Sequence, residues 1–181
     1  MPALIQLASG GYLDLICPRP EDIHIEDIAH GLSNICRFGG HTKEFLSIAQ
    51  HSVFVSSLVP PELALVGLLH DAQEYCLGDS ITPLKALLPE YKKIEKRFEK
   101  VIAFKFGYTF DEIALVKPAD LVALVTEKRD FCASHPDDAV NWAKYADITP
   151  HPDRLVSMTP AVAKKAFLDR FYEIQRLEYV S

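Results

Sequence analysis

The chain has 181 residues, of which 49% are apolar and 24% charged, and its formal net charge is −6. This composition is typical of a water-soluble domain large enough to bury a core, and the acidic balance argues against a nucleic acid polymer as the partner. A small phosphate ester is still compatible, because a metal ion and a few cations can concentrate positive charge locally. No stretch is long and apolar enough to span a bilayer, and the first residues lack the pattern of a signal peptide. Four cysteines without a CxxC motif predict free, mostly buried thiols in a reducing cytosol.

The first part of the chain predicts a hairpin followed by three helices. Apolar and polar residues that alternate on either side of a glycine pair predict two short strands within 4–15. Beyond them, apolar residues at helical spacing predict helices over 25–38, 43–59 and 61–78. Glycine and proline pairs mark the breaks between these helices.

The second part of the chain predicts further helices and one irregular segment. A long amphipathic helix is predicted over 89–107, and its run of mixed charges is interpreted as a solvated face rather than a phosphate-binding patch. Residues 110–131 predict two helices, because Pro118 fits a first turn better than a helix interior. A loop-rich stretch over 137–157 then precedes a C-terminal helix over 159–179, which opens with a threonine cap and a proline.

These elements predict an all-α fold with a short N-terminal β-hairpin. We expect a single domain over 1–181, with the hairpin and a linker in 1–20, the core in 25–131 and the C-terminal helix in 159–179. Apolar faces on the long middle helix and on the C-terminal helix predict self-association into a homo-oligomer.

The stretch LLHDAQEYCLGDSITPLK, residues 68–85, places charged groups within a leucine-rich helix. His70, Asp71 and Glu74 share one helix face, since residues three and four apart are neighbours. Their apolar helix mates predict a partly dry pocket, where uncompensated charge would cost several kcal/mol for each group. One divalent metal ion would compensate His70 and Asp71 together. The alternative for an isolated pair is a solvated helix surface.

Two residues from other helices extend this pair. His51 lies in the middle of an apolar helix, and Asp120 lies near the start of another. Taken alone, His51 is typical of a hydrogen-bonded core histidine, and Asp120 of a capping or dipole residue. Together with His70 and Asp71 they supply two imidazoles and two carboxylates, enough for one octahedral ion with positions left for water and substrate. We therefore predict a divalent metal cofactor (zinc, cobalt, manganese or magnesium).

The order His, His-Asp, Asp on three helices resembles the HD-domain metal-dependent phosphohydrolases, over residues 25–130. The segment HDAQEYCLGDSITPLK resembles the His-Asp-x-x-Glu-x-x-x-x-Asp-x-x-Thr-Pro-x-Lys signature of the bacterial 5′-deoxynucleotidases within that group. The chain is also similar in size and layout to small phage deoxynucleoside triphosphate triphosphohydrolases, including those that act on dATP. In these enzymes an arginine lies some fifteen residues before the first ligand histidine, and here Arg37 lies fourteen before His51.

The resemblance implies roles for residues around the metal. Glu74 would be the general acid or base, and Asp79 a second carboxylate near the attacking water or a second metal ion. Arg37 and Lys85 would contact the phosphate, the arginine with two donors and the lysine as a point charge.

The sequence departs from the deoxynucleotidase pattern after this arginine. Phe38 stands where those enzymes usually carry a tryptophan, and its ring could replace the tryptophan in stacking against the base. His41 is a rival to His51 as the first ligand, but it follows two glycines in a predicted loop and could instead reach the phosphates. Glu127, two turns beyond Asp120, is interpreted as a structural salt-bridge residue, with a substrate or subunit contact as the alternative.

The resemblance implies a hydrolase that cleaves the 5′-phosphoester of deoxynucleotides. We favour a dNTP (dATP) triphosphohydrolase that releases deoxynucleoside and triphosphate. The alternatives are a dNMP 5′-nucleotidase that releases orthophosphate and a non-catalytic nucleotide-sensing module with a structural metal. Hydrolysis of cyclic nucleotides or alarmones is a further alternative, disfavoured by the Thr-Pro-x-Lys extension at 82–85. The expected location is the cytoplasm, that of the host if the chain is phage-encoded, with neither membrane nor nucleic acid polymer as partner.

Overall fold

A two-stranded antiparallel hairpin lies at the start of the chain in the computed structural model, which describes residues 2–178. Strand β1 (Leu4–Gln6) pairs with β2 (Tyr12–Asp14), and Ile5 is the residue opposite Leu13. The side chain of Leu13 is fully buried against the helical core. The predicted hairpin is thereby confirmed, and one inward leucine attaches it to the helices.

Nine α-helices follow in the described residues. They are α1 (Ile25–Asn34), α2 (Ile48–Leu58), α3 (Ala64–Leu69), α4 (Glu74–Leu77), α5 (Thr82–Lys85), α6 (Pro89–Phe106), α7 (Ile113–Phe131), α8 (Asp138–Asn141) and α9 (Pro160–Glu178). Short 3₁₀ turns lie at Pro20–Asp22, Phe38–Gly40, Pro61–Leu63, Phe110–Glu112 and Ala143–Tyr145. The mainly helical prediction is confirmed, although Tyr179, its last helical residue, lies outside the described range. Within that range no helix has both the length and the apolar character needed to cross a membrane.

Helix α2 lies at the centre of the bundle, where it packs against α1, α3, α7 and α9. Ser47 caps it by accepting a hydrogen bond from the Gln50 amide at 3.2 Å. Helix α9 is capped as predicted, since the Thr159 hydroxyl accepts from the Val162 amide at 3.4 Å. Because α2 is surrounded by these four helices, the side chain of His51 in its middle is fully buried.

The first two predicted helices are longer than the observed ones. Helix α1 ends at Asn34, and the next residues run extended beside the chain that enters α2. The Arg37 amide donates to the Leu46 carbonyl at 2.9 Å, and the Ile48 amide donates to the Ile35 carbonyl at 3.2 Å. These backbone bonds hold Arg37 beside the first turn of α2.

The prediction of one continuous helix over 61–78 is wrong. Helix α3 ends at Leu69 and α4 begins at Glu74, with a tightened turn between them. In this turn the amides of Ala72, Glu74 and Tyr75 each donate to the carbonyl three residues before, at 3.0–3.1 Å. The chain tightens to 3₁₀ geometry where the charged residues lie.

The prediction of two helices within 110–131 is also wrong, since Pro118 lies inside the single helix α7. A 3₁₀ turn precedes that helix at Phe110–Glu112. Proline removes the hydrogen bond that would reach the Ala114 carbonyl. Both residues are exposed, so water can satisfy that carbonyl and the helix continues.

Candidate metal centre

Two histidines face each other at the centre of the bundle. His51 Nε2, from the middle of α2, lies 3.3 Å from His70 Nε2, which follows the last residue of α3. His51 is fully buried and His70 is 7% exposed. The structure thus brings together two imidazoles that lie nineteen residues apart in the sequence.

Two carboxylates, those of Asp71 and Asp120, lie beside these imidazoles. Asp71 Oδ2 lies 3.2 Å from His70 Nε2 and 3.6 Å from His51 Nε2. Asp120 Oδ1, from α7, lies 3.4 Å from His51 Nε2 and 3.9 Å from His70 Nε2. Atoms that share an ion at about 2.1 Å are separated by such distances. One ligand atom each of His51, His70 and Asp120 lies within 4.8 Å of the others.

The far side of each imidazole shows which nitrogen is available. His70 Nδ1 lies 2.9 Å from the Gly67 carbonyl, which can only accept, so this nitrogen carries the proton. His51 Nδ1 lies 2.8 Å from Glu127 Oε1, and the same assignment follows. In the neutral rings, two Nε2 lone pairs and two carboxylates then converge. Such a set of acceptors fits a divalent cation. Both nitrogens could donate lone pairs to it, and its charge would balance the two carboxylates.

The imidazoles and carboxylates of this group shift each other's pKa in opposite directions. Burial lowers the pKa of His70, but the charge of Asp71 and its hydrogen bond raise that pKa to about 9. Burial alone would raise the pKa of Asp71 and of Asp120, yet the neighbouring imidazoles hold both below their usual range. Without a metal, a protonated His70 therefore balances part of the carboxylate charge, beside the Arg37 guanidinium.

Glu127 and Arg37 form a second layer behind His51. Glu127 is fully buried, and its Oε2 accepts a hydrogen bond from Arg37 Nε at 3.0 Å. Burial would raise the pKa of Glu127, but Arg37 and His51 lower it below its usual value. The expected salt bridge of Glu127 is present, but its contact with His51 was not predicted from the sequence. The seven-residue spacing from Asp120, which keeps both on one face of α7, was the available signal.

Glu74 and Lys85 lie together beside the group. Lys85 Nζ is 2.9 Å from Glu74 Oε1 and 2.7 Å from Glu95 Oε1. Burial raises the pKa of Glu74 well above its usual range, and the charges of Asp71 and Asp79 add to the rise. Glu74 Oε2 is buried without a hydrogen-bond partner in the described part of the chain. Glu74 is thus suited to exchange a proton.

The interpretation of the charged run on α6 as a solvated face is wrong for Glu95. That residue is buried, at 7% exposure, because it pairs with Lys85 of α5. Lys85, predicted to contact phosphate, already balances two carboxylates in this structure. Its contact with phosphate stays a prediction.

We call the four candidate ligands, His51, His70, Asp71 and Asp120, the metal group. A cavity of about 660 Å³ opens beside it, and Asp71 and Asp120 line that cavity. Arg37, Phe38, Asp79 and Lys85 line it, together with Asp71, Glu74 and Asp120. The backbone of Phe38 has a φ of 54°, a conformation that bulky residues rarely adopt. Burial raises the pKa of Asp79.

His41 is the one predicted substrate-binding residue that does not line this cavity. Its side chain is exposed, and it follows the turn that contains Phe38. The choice of His51 over His41 as a candidate ligand agrees with this placement. All four cysteines are free thiols, as predicted, but the prediction that most are buried is wrong, since Cys17 is exposed and the other three are partly exposed.

Comparison with known proteins places the chain in a family. No family model matches it, but it is 42% identical to the uncharacterized protein YfdR of Escherichia coli (strain K12) over 158 residues, 87% of each chain. The chain belongs to the same family as that protein.

Two more distant relatives are enzymes by name. The 5′-deoxynucleotidase of Cronobacter sakazakii is 34% identical over 41% of this chain and 47% of its own. A 5′-deoxynucleotidase of Photobacterium profundum is 34% identical over 37% of each chain.

Proposed function

We propose that this protein is a metal-dependent phosphohydrolase that cleaves the 5′-phosphoester of deoxynucleotides. The observation that carries the proposal is the convergence of two imidazole Nε2 atoms and two carboxylates at one wall of an open cavity. The partial similarity to two 5′-deoxynucleotidases supports a nucleotide phosphohydrolase and gives no support to dATP triphosphohydrolase specificity.

A divalent ion held by His51, His70, Asp71 and Asp120 would lower the pKa of a bound water towards about 7 and polarise a phosphoryl oxygen. Zinc, cobalt, manganese and magnesium are all compatible with two imidazoles and two carboxylates. The hydrogen bond of Glu127 to His51 Nδ1 leaves Nε2 without a proton, and this nitrogen would hold the ion.

Two residues of the chain would serve the reacting groups directly. Glu74, buried next to the ligands and lining the cavity, would accept the proton of the attacking water or deliver one to the leaving oxygen. Arg37 lies with Nη1 3.8 Å from Asp71 Oδ2, so its guanidinium borders both the metal group and the cavity. Glu127 and Asp71 raise the pKa of Arg37 against the effect of burial, so the cation is permanent. It would contact the substrate phosphate.

The charges of the cavity favour a monophosphate over the triphosphate that the sequence favours. Arg37 is paired with Glu127, Lys85 with two glutamates and Lys117 with Asp120 at 2.6 Å. Among the cavity's described cations, Lys144 has no carboxylate partner. A triphosphate would bring more negative charge than this balance accommodates, so orthophosphate is the expected product.

A product assay tests the function and this preference together. The protein is stripped with a chelator, restored with zinc, cobalt, manganese or magnesium, and incubated with the four dNMPs and the four dNTPs. We expect metal-dependent release of deoxynucleoside, with orthophosphate from dNMPs as the main product by chromatography. Triphosphate as the main product would instead support the assignment as a triphosphohydrolase. Release of no deoxynucleoside from any of the eight substrates would reject the enzyme and leave the nucleotide-sensing module.

A further inference from the structure

Two aromatic side chains form one wall of the cavity, well beyond the segment that resembles deoxynucleotidases. Trp142 and Tyr145 both line the same 660 Å³ space as Asp71 and Asp120. Their ring centroids are 5.4 Å apart and their planes meet at 47°. Both side chains are partly exposed. We call this pair the aromatic wall.

The aromatic wall is attached to α7, the helix that carries Asp120. Lys128 of α7 donates from Nζ to Asp138 Oδ2 at 3.0 Å and to the Ala133 carbonyl at 2.9 Å. The same ammonium lies 5.5 Å from the centre of the Trp142 ring. One lysine thus ties the segment after α7 to the helix, and the wall has a defined position relative to the metal group.

The part of the cavity surface that α7 contributes changes from charged to apolar along the helix. Asp120 lies at the metal group, and Leu121 and Leu124, within the next turn, line the same cavity. Asn141, beside the wall, offers an amide with both donors and an acceptor. A ligand that fits this order has an anionic group at one end and a flat, weakly polar ring with hydrogen-bonding edges at the other.

From this arrangement we infer that the aromatic wall binds the nucleobase of the substrate, with Trp142 as the stacking residue and Tyr145 as its support. The inference rests on the proposed function for the identity of the ligand. Phe38 is the competing platform, but the guanidinium beside its ring is that of Arg37, whose Nη1 lies 3.8 Å from Asp71 Oδ2 at the metal group. Phe38 therefore belongs to the phosphate end of the cavity, and the wall to the base end.

The first experiment uses Trp142 as its own probe, since it is the only tryptophan of the chain. Emission is followed while the full-length protein is titrated with thymidine, with deoxyadenosine or with 2-deoxyribose 5-phosphate, which has the phosphate but no base. The two nucleosides lack a phosphoester and cannot be hydrolysed. We expect saturable quenching by both nucleosides and none by the sugar phosphate. Unchanged emission with the nucleosides, or equal quenching by the sugar phosphate, would overturn the inference.

Matched variants locate the effect at the wall. Tyr145→Ala keeps the tryptophan and is expected to raise the apparent Kd for thymidine about fivefold, because Trp142 loses the ring that supports it. Phe104→Ala removes an exposed ring of α6 that does not line the cavity, and it should leave the Kd unchanged. Equal effects of the two substitutions would show that the quenching arises elsewhere.

Steady-state kinetics separate the inference from the proposed function. Trp142→Ala should raise KM for dNMPs about fivefold or more, while Trp142→Phe retains a ring and restores most of the affinity. Turnover of 2-deoxyribose 5-phosphate should be the same in both variants, because that substrate has no base. If hydrolysis occurs but Trp142→Ala leaves KM unchanged, the wall is rejected and the function stands. If no substrate is hydrolysed, the fluorescence titration alone decides.

Discussion

Each imidazole of the candidate centre is oriented by a bond on its outer nitrogen. The Gly67 carbonyl does this for His70, and Glu127 does it for His51. A buried histidine with both nitrogens free would rotate or protonate, and its Nε2 lone pair would not be directed inward. The outer partners therefore matter as much as the imidazoles themselves for any metal that binds here.

At Glu74, the substitution Glu74→Gln should reduce turnover about 100-fold or more, because an amide neither accepts nor delivers the proton. Metal content, measured by elemental analysis, should be unchanged, since Glu74 is not among the four candidate ligands. Glu90→Gln, at an exposed residue paired with Lys93 on α6, is the matched control and should retain full activity. Full activity of Glu74→Gln would favour the non-catalytic sensing module.

At Glu127, the substitution Glu127→Gln should weaken metal binding about 10- to 100-fold, because a neutral amide polarises His51 less and can rotate to present its donor. A competition titration with a chromophoric chelator measures the affinity on protein confirmed as folded by circular dichroism. Glu62→Gln, on an exposed residue before α3, serves as control. An unchanged metal affinity would limit Glu127 to its salt bridge with Arg37.

At the scale of elements, the tightened turn between α3 and α4 brings three functional groups to one place. His70 and Asp71 both lie in this turn, and both side chains approach His51, at 3.3 Å from His70 Nε2 and 3.6 Å from Asp71 Oδ2 to His51 Nε2. Helix α7 contributes two carboxylates at a seven-residue spacing, one to the metal group and one behind it.

Helix α4 depends on a close approach to α1 at Gly31. A β-carbon there would lie 2.5 Å from the Tyr75 carbonyl oxygen, a backbone atom that cannot move without α4. Gly31→Ala should therefore lower the free energy of unfolding by about 1–3 kcal/mol, and it should reduce activity because α4 carries Glu74. Urea unfolding and the product assay measure the two effects.

The control for Gly31→Ala is Gly11→Ala, where the nearest atom to a new β-carbon is a serine hydroxyl at 3.5 Å. That substitution should change neither stability nor activity noticeably. If Gly31→Ala behaves like Gly11→Ala, the contact between α1 and α4 does not set the position of Glu74.

At the scale of the molecule, helices α2 and α7 and the turn after α3 place imidazoles and carboxylates around a single point. In the metal-free protein this makes stability depend on pH through His70, whose pKa is raised from 6.5 to about 9. Because the folded-state pKa is the higher one, the contribution is complete below about pH 6.5 and is lost as pH rises to about 9. His51, whose pKa is also raised, acts in the same direction.

We therefore expect chelator-treated protein to be less stable at pH 9 than at pH 6.5, by a difference on the order of 3 kcal/mol. Urea unfolding at the two pH values measures it. Metal-loaded protein should lose this dependence, since a bound cation replaces the proton, and His70→Gln should weaken it without metal. Equal stability of the chelator-treated protein at both pH values would contradict the charge balance described for the pocket.

Much of the site was predictable because its polar residues lie in otherwise apolar stretches of the sequence. His51 lies in an apolar helix and His70 and Asp71 follow a leucine run, so burial of polar groups was implied by local pattern. Glu95 could not be recognised in this way, since it lies in a run of charges typical of a solvated face. Its burial depends on Lys85, which approaches from another helix.

The helical class, the hairpin and the choice of four candidate ligands could be inferred from the sequence, because apolar periodicity and polar residues in apolar stretches are local properties of a chain. The positions where helices break, as at the turn before Glu74, and the partners that reach across the bundle depend on the packed fold. Glu127 orients His51 over a separation of 76 residues, and the aromatic wall faces the metal group from a segment without a distinctive pattern. Such contacts arise from packing of distant elements, which no local pattern encodes.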